Sequence, residues 1–196
     1  PHTSAKMLVI TNGDADLAAS TAKDFAGRLW DMKEETQGET ISIDDALDAA
    51  AAGPGPMVLA DVADNAGGGA PSDSTFILRR ALERGDRDLL IGYFWDPVAA
   101  RFCEEAGEGE TLDLRVGGKC GPSSGDPVDV RVTVKRILHD AEQTFGDAKM
   151  TMGTAVWLST DAGIDLILTT KRTQVFHPDG MEQLGIAPAD YKGIVV

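Results

Sequence analysis

The stretch PMVLADVADNAGGGAPSDST, residues 56–75, joins a short apolar run to three successive glycines and a group of helix-capping residues. The apolar run from Met57 predicts a strand covered on both faces of a parallel sheet. The glycines at 67–69 can adopt positive φ and let backbone N–H groups approach a ligand. Ser72 or Asp73 is predicted to cap the helix that follows. A strand, a glycine loop and a helix N-terminus together predict a site for an anionic or polar group.

The acidic surroundings of this loop restrict what it could bind. Asp61, Asp64, Asn65 and Asp73 flank the glycines, whose spacing matches neither the dinucleotide fingerprint nor the Lys-containing phosphate loop. Three carboxylates would repel a polyphosphate unless a metal or another cation accompanied it. Two interpretations therefore stay open, a loop that contacts a ligand and a tight connection with a purely structural role.

Three successive β-α units are predicted in the first half of the chain. A strand from Met7 to Thr11 leads into a helix whose apolar residues recur at a spacing of about four. Ser42 and Asp45 predict a capping box that starts a short Ala-rich helix before the quoted stretch. A third strand, Asp88 to Phe94, enters a helix through Asp96 and the proline that follows it. Such units predict a parallel sheet with helices packed on it.

The second half predicts antiparallel strands. The valines from Val128 to Val134 alternate with polar residues, which indicates a strand with one solvated face. Met150 to Ser159 and Ile164 to Val175 predict two further strands joined by a turn, and Lys192 to Val196 predicts the last one. Between these, Pro178 to Gly185 predicts a short helical turn. The predicted fold class is α/β, with a mixed sheet that is parallel in the first half and antiparallel in the second.

Composition excludes several classes of function. The chain has 196 residues and carries 32 acidic against 18 basic ones, a formal net charge of −14. This charge disfavours nucleic acid and anionic membranes as partners, since no basic patch is present. The two cysteines, Cys103 and Cys120, form no C-x-x-C pair, so a reducing cytoplasm is predicted. No segment reaches the length of about 20 apolar residues that a spanning helix needs. The absence of an initial Met and the strand-like end predict a piece of a longer protein.

Catalytic motifs are absent from the sequence. His2, His139 and His177 lie far apart and outside any H-E-x-x-H pattern, which argues against a zinc site made by this chain alone. No G-x-S-x-G elbow occurs. Two further polar segments stand at predicted strand ends, residues 117–127 and residues 169–174. In the first, Lys119 could meet a carboxylate, and a long hairpin connection is the alternative. The polar side chains of the second segment predict a cavity or an interface, with a solvated edge strand as the alternative.

Four motifs occur in this chain in the order found in one protein family: residues 61–75, Trp95-Asp-Pro97, residues 117–127 and residues 169–174. Together they resemble the C-terminal domain of the microcystinase C family of metallopeptidases, from about Met57 to the end. The resemblance implies a β-α segment at residues 1–56 that precedes the domain. It implies that residues 57–196 are the domain itself, truncated at its end.

The resemblance implies that the full-length protein is a hydrolase, a zinc-dependent peptidase or related amidohydrolase that acts on a small peptide or amide. It assigns the zinc ligands and the catalytic carboxylate to an N-terminal half outside this chain, which would be the partner of the present domain. No catalytic or metal-binding residue is therefore assigned to this chain, and the fragment alone is expected to be inactive. By analogy, the following residues are placed at the substrate cleft: Asp64, Asn65, Gly67, Gly68, Gly69, Asp73, Ser74, Thr75, Arg172, Thr173 and Gln174. The alternative function is a non-catalytic binding or regulatory module whose glycine loop captures an anionic small molecule. A homo-oligomer is possible with either function.

Overall fold

The computed structural model describes residues 5–36 and 38–196, which divide into two compact units, one that ends at Ile41 and one that begins at Ser42. In the first unit, helix α1 spans Ala15–Asp31 and begins at Asp14, whose carboxylate accepts a 2.8 Å hydrogen bond from the Leu17 N–H. The strand predicted at residues 7–11 is wrong, because this described segment lies in no strand. A strand exists only with a hydrogen-bonded neighbour, and local periodicity cannot supply one.

The second unit is built on a seven-stranded sheet. Its strands follow the order β1-β7-β2-β6-β5-β4-β3 across the sheet. In chain order they are β1 (Met57–Leu59), β2 (Leu89–Trp95), β3 (Thr111–Val116), β4 (Val128–Phe145), β5 (Ala148–Thr160), β6 (Ile164–Thr169) and β7 (Gly193–Val195). The helices of this unit are α2 (Ile43–Ala52), α3 (Phe76–Arg84), α4 (Pro97–Ala106) and the short α5 (Asp179–Glu182).

The sheet is mixed, which confirms the predicted fold class. Strands β1, β7, β2 and β6 run parallel, whereas β5, β4 and β3 continue the sheet in antiparallel pairs. The predicted parallel arrangement of the strands at residues 57 and 88 is confirmed, but they are not neighbours because β7 lies between them. All residues of β2 except the last are buried, as expected of a strand covered on both faces.

Helices cover both faces of the sheet unequally. Helices α2, α3 and α4 contribute to one core, which includes Leu47, Leu78 and Cys103. The segment around α5 covers the other face with Met181 and Leu184. In the described part of the chain, no helix is long and apolar enough to cross a membrane.

Helix α2 joins the sheet unit through charge as well as packing. Arg80 of α3 donates a 2.7 Å hydrogen bond from Nε to Asp44 of α2, and Arg84 also binds Asp44 through Nη1 at 3.0 Å. The compact unit accordingly begins at Ser42. The domain boundary between residues 56 and 57 stays a prediction.

Most predicted helix starts are confirmed, but one is wrong. The Asp45 N–H donates to Ser42 Oγ at 3.1 Å, and the Ala99 N–H donates to Asp96 Oδ1 at 3.1 Å, so both capping side chains are placed as predicted. Helix α3 instead begins after Thr75, with no capping bond from a side chain. The Asp73 carboxylate does not cap it because it accepts hydrogen bonds from the distant β3–β4 connection.

The long hairpin of β4 and β5 follows the predicted alternation. The four valines of residues 128–134 are buried, and the polar residues between them are exposed or half-buried. Strand β6 ends at Thr169, so the strand predicted to reach Val175 is too long. Residues 170–175 leave the sheet because their polar side chains bind elsewhere, as described below.

Candidate active-site cavity

A cavity of about 220 Å³ lies at the carboxyl ends of the four parallel strands. Its apolar lining includes Ile91 and Phe94 of β2 and Val195 of β7. Its polar lining comes mainly from residues 61–66, which follow β1, and from residues 173–174, which follow β6, and Ser72 and Ser74 add to it. The carboxyl ends of parallel strands are where open α/β sheets bind ligands, so this cavity is the candidate site.

The glycine loop forms a closed turn beside the cavity. Asn65 Oδ1 accepts hydrogen bonds from the N–H groups of Gly67, at 2.7 Å, and Gly68, at 3.3 Å. The Gly69 N–H donates to the Ala66 carbonyl, and Gly69 is left-handed with φ of 97°. The expectation that free glycine N–H groups capture an anion is therefore wrong. Residues 66–68 form a 3-10 turn well before α3, so the dipole of that helix does not act on them.

Asp64 holds the far end of the same loop. Its two carboxylate oxygens accept hydrogen bonds from the N–H groups of Ser72, at 2.8 Å, and Ser74, at 2.7 Å. Burial raises the pKa of the Asp64 carboxyl above its ordinary value, against the lowering effect of these two hydrogen bonds. The negative charges of Asp61 and Asp73 raise this pKa further. The cavity is therefore bordered by a half-buried carboxylate in an acidic environment.

The segment after β6 clasps the glycine turn. Arg172 Nη1 donates 2.8 Å hydrogen bonds to the carbonyls of Ala66 and Ala70, more than 100 residues earlier. Gln174 packs so closely on Gly67 that a Cβ there would lie 1.9 Å from Gln174 Oε1. Only glycine fits this approach without moving the glutamine.

A buried glutamine on β4 anchors this segment in turn. Gln143 is fully buried, and its Nε2 donates to Thr173 Oγ1 at 3.0 Å and to the Gln174 carbonyl at 2.8 Å. The Phe176 N–H donates to Gln143 Oε1 at 2.9 Å. Sequence reasoning missed this residue, although a polar side chain at a buried position of the alternating pattern was the available signal.

The second glycine-rich segment, residues 117–127, forms a joint with the starts of α3 and α4, away from the cavity lining, in which Gly117 and Ser124 are buried. Lys119 Nζ lies 2.6 Å from Asp96 Oδ2, and the Asp96 side chain is 1% exposed. This contact confirms that Lys119 meets a carboxylate. Asp73 accepts hydrogen bonds from the N–H groups of Lys119, at 2.7 Å, and Cys120, at 2.9 Å. Thr75 Oγ1 donates to the carbonyl of Asp126 at 2.8 Å, so both residues bind this joint.

The predicted site residues thus separate into three groups. Five line the cavity: Asp64, Asn65, Ser74, Thr173 and Gln174. Four build the clasped turn beside it: Gly67, Gly68, Gly69 and Arg172. Two bind the joint instead: Asp73 and Thr75. The apolar lining was missed, because only the order of the strands in the sheet brings the ends of β2 and β7 together.

The described residues do not fit a metal centre. Within residues 5–36 and 38–196, no three His, Cys, Asp or Glu side chains group so that they could hold an ion. The cavity itself offers the carboxylates of Asp61 and Asp64, and both oxygens of the second already accept backbone hydrogen bonds. A metal ion at this cavity would need further ligands from outside the described residues.

Comparison with known proteins shows what this chain resembles. The family model described as the MlrC C-terminus matches residues 59–196. Microcystinase C from Sphingomonas sp. is 37% identical over 195 residues, which are 98% of this chain and 38% of that protein. A crystal structure of a candidate metallopeptidase from Mesorhizobium sp. BNC1 matches with a TM-score of 0.79 and 30% identity. That match covers 91% of this chain and 37% of the crystallised one. The chain thus spans less than two fifths of either relative.

Proposed function

Because the chain belongs to the family of the MlrC C-terminus, we propose that it is the substrate-positioning part of a metal-dependent hydrolase of peptide or amide bonds. The observation that carries the proposal is the cavity whose polar lining joins the turn after β1 to the segment after β6. In this proposal zinc is the metal, and its ligands belong to a part of the full-length protein outside this chain. The metal would supply Lewis-acid chemistry there.

The residues of this chain would bind and orient the substrate. Asn65 uses its carbonyl oxygen inside the turn, so its amide N–H groups are the donors that it can offer to a substrate carbonyl. Thr173 and Gln174 add polar contacts from the opposite segment, and Ile91 and Phe94 provide apolar surface. The hydrogen bonds of Arg172 and Gln143 hold both polar walls in place before substrate arrives. Such preorganisation lowers the entropic cost of reaching a reactive geometry.

Asn65→Asp in the full-length protein tests this assignment. The aspartate keeps an oxygen that can accept from Gly67 and Gly68 but removes the amide donors, so stability should stay near that of the parent. We expect kcat/KM for small peptides to fall roughly tenfold or more. Zinc content and activity before and after chelation are measured in parallel. Asn12→Asp, at an exposed position, makes the same change of charge and is the matched control that should change nothing. Unchanged kcat/KM in Asn65→Asp would remove the assignment of Asn65.

The alternative, non-catalytic capture of an anionic small molecule, has less support. Asp61 and Asp64 border the cavity, and the glycine N–H groups that would bind an anion donate within the turn. A full-length protein that neither contains metal nor cleaves small peptides would favour this alternative over hydrolysis.

A further inference from the structure

Helix α1 of the first unit exposes an apolar face. Leu17, Phe25 and Leu29 are spaced by eight and four residues, and each is about half exposed. This spacing places the three side chains on one side of the helix. None of the 17 residues of α1 is buried. Because an amphipathic helix is stabilised mainly by packing its apolar face on another element, α1 lacks a full packing partner among the described residues.

The segment before α1 is an apolar run with unpaired backbone groups. Within the described part of the first unit, residues 7–10 form no backbone–backbone hydrogen bond. Leu8 is 81% exposed and Ile10 is 86% exposed. Four successive apolar residues, as at 7–10, are typical of a parallel strand that is covered on both faces. Unpaired backbone groups beside such side chains are a template on which another strand can pair.

The connection between this run and the helix has the form of a β-α turn. The Gly13 N–H donates to the Thr11 carbonyl at 3.0 Å, and Gly13 is left-handed with φ of 80°. Asp14 then caps α1 by accepting from the Leu17 N–H. Loops of two or three residues that end in a capping Asp are typical of β-α units. The apolar run and α1 therefore have every part of such a unit except neighbouring strands.

The comparisons indicate where those strands belong. The match to microcystinase C covers 98% of this chain, which includes most of the first unit. The family model of the C-terminal domain begins only at residue 59, so the first unit lies outside it. This chain accounts for 38% of microcystinase C. The remaining length of such a protein is available to supply a sheet for the first unit.

A membrane surface is a poor partner for this face. Helix α1 carries three acidic residues, Asp16, Asp24 and Asp31, against two basic ones, Lys23 and Arg28. Helices that lie on membranes have a polar face rich in Lys and Arg.

A second copy of this chain also fits poorly. A two-fold axis would pair the apolar run with its own copy and leave it without a second neighbour. A run that is apolar on both faces is instead typical of the interior of a parallel sheet.

We infer that the apolar run, residues 7–11, and α1 are a β-α unit of a second α/β domain, whose other elements lie in the part of the full-length protein outside this chain. Residues 7–11 form no strand in this chain, and in the full-length protein they pair with parallel strands of that second domain. Helix α1 packs Leu17, Phe25 and Leu29 on the same sheet. The boundary between the two domains then lies between α1 and Ser42, where the second compact unit begins.

Hydrogen exchange followed by mass spectrometry tests the pairing in the full-length protein and in the 196-residue chain. An amide in a paired strand exchanges only when the strand opens. The amides of residues 8–11 should exchange at least about 100-fold more slowly in the full-length protein than in the shorter chain. The amides of β6 are the internal control and should be protected in both, because nearly all of that strand is buried in a sheet that both proteins contain.

A matched pair of variants tests the face of α1. Leu29→Gln and Lys23→Gln introduce the same residue on different sides of the helix, and Leu, Lys and Gln have similar helix propensities. In the full-length protein, Leu29→Gln should lower the melting temperature by about 3 °C or more, and Lys23→Gln by less than about 1 °C. In the 196-residue chain both variants should change it by less than about 1 °C, because both positions are exposed there.

Equal exchange of residues 8–11 in the two proteins would overturn the inference. So would protection that decreases when the full-length protein is diluted, because a second copy would then be the partner. Equal effects of Leu29→Gln and Lys23→Gln in the full-length protein would exclude α1 from the interface. None of these measurements is an activity, so the inference and the proposed hydrolysis can fail separately.

Discussion

The two glycine-rich loops of this domain have similar compositions and different structures. The cavity loop, residues 61–75, forms an Asn65-capped turn at the edge of a cavity. The joint loop, residues 117–127, is tied to the starts of α3 and α4, where the Gly117 N–H donates to Asp96 Oδ2 at 3.0 Å and the Gly118 N–H to the Asp73 carbonyl at 2.7 Å. The comparison shows that glycine clusters arise from different constraints.

The constraint on the joint loop is steric. Gly118 has φ of 61°, and a Cβ there would lie 2.5 Å from the backbone nitrogen of Pro127. In the cavity loop, a Cβ on Gly68 would have its nearest neighbour at 4.0 Å, and no positive φ occurs at this residue. Substitution of Gly118 in the joint loop should therefore cost stability, whereas substitution of Gly68 in the cavity loop should leave stability nearly unchanged.

The largest effect is expected for Gly118→Ala. The left-handed backbone and the collision with main-chain atoms cannot be relieved by a rotamer change, so unfolding free energy should fall by roughly 4 kcal/mol. Urea denaturation of the 196-residue chain measures this loss. Gly146→Ala is the control, since φ there is 59° but no atom lies within 4 Å of the added Cβ. Similar losses in both variants would show that backbone strain alone matters in the joint loop.

Lys119→Met should have the next largest effect. It leaves the buried Asp96 carboxylate without its cation, although the N–H groups of Ala99 and Gly117 still donate to it. Because Lys119 is 33% exposed, a loss of about 3 kcal/mol, the low end for a broken buried pair, is expected. The double variant with Asp96→Asn should lose less than the sum of the single losses. Additive losses in urea denaturation would mean that Lys119 and Asp96 do not stabilise the joint loop through their interaction with each other.

Asn65→Ala should lower activity more than it lowers stability. Losing the acceptor for the Gly67 and Gly68 N–H groups removes a cap worth about 1 kcal/mol. In the full-length protein, activity per folded molecule should nevertheless fall roughly tenfold or more, because the cavity wall loses its shape and its amide donors. Melting curves and peptide turnover on the same preparation measure both quantities. A loss of stability with unchanged activity would show that the cavity loop is only a structural connection, like the joint loop.

The smallest effect on stability is expected for Gly68→Ala. With open space for the methyl group and no left-handed backbone, unfolding free energy should change by no more than about 0.5 kcal/mol. Gly67→Ala is the matched comparison, because its methyl group must displace the Gln174 side chain at the cavity. Turnover of the full-length protein should fall more for Gly67→Ala than for Gly68→Ala. The reverse order would contradict the clasp between the turn and the segment after β6.

Local sequence patterns were sufficient for the types of element and several of their ends. The alternating valines of residues 128–134 identify a strand with one buried face, and the Asp96-Pro97 pair marks a helix start. Both signals act within a few residues, through side-chain direction and backbone donors. The predicted strand at residues 7–11 shows their limit, since an apolar run forms a strand only where a neighbouring strand satisfies its backbone groups.

What the sequence by itself determined is the mixed α/β class and the location of polar, glycine-rich segments at strand ends. Only the tertiary structure decided that β7 separates β1 from β2 and that Arg172 reaches the carbonyls of Ala66 and Ala70. It likewise decided that Asp73 binds the joint loop rather than capping α3. The physical reason is range: capping and periodicity depend on residues a few positions apart, whereas hydrogen bonds between distant segments depend on how the sheet has packed.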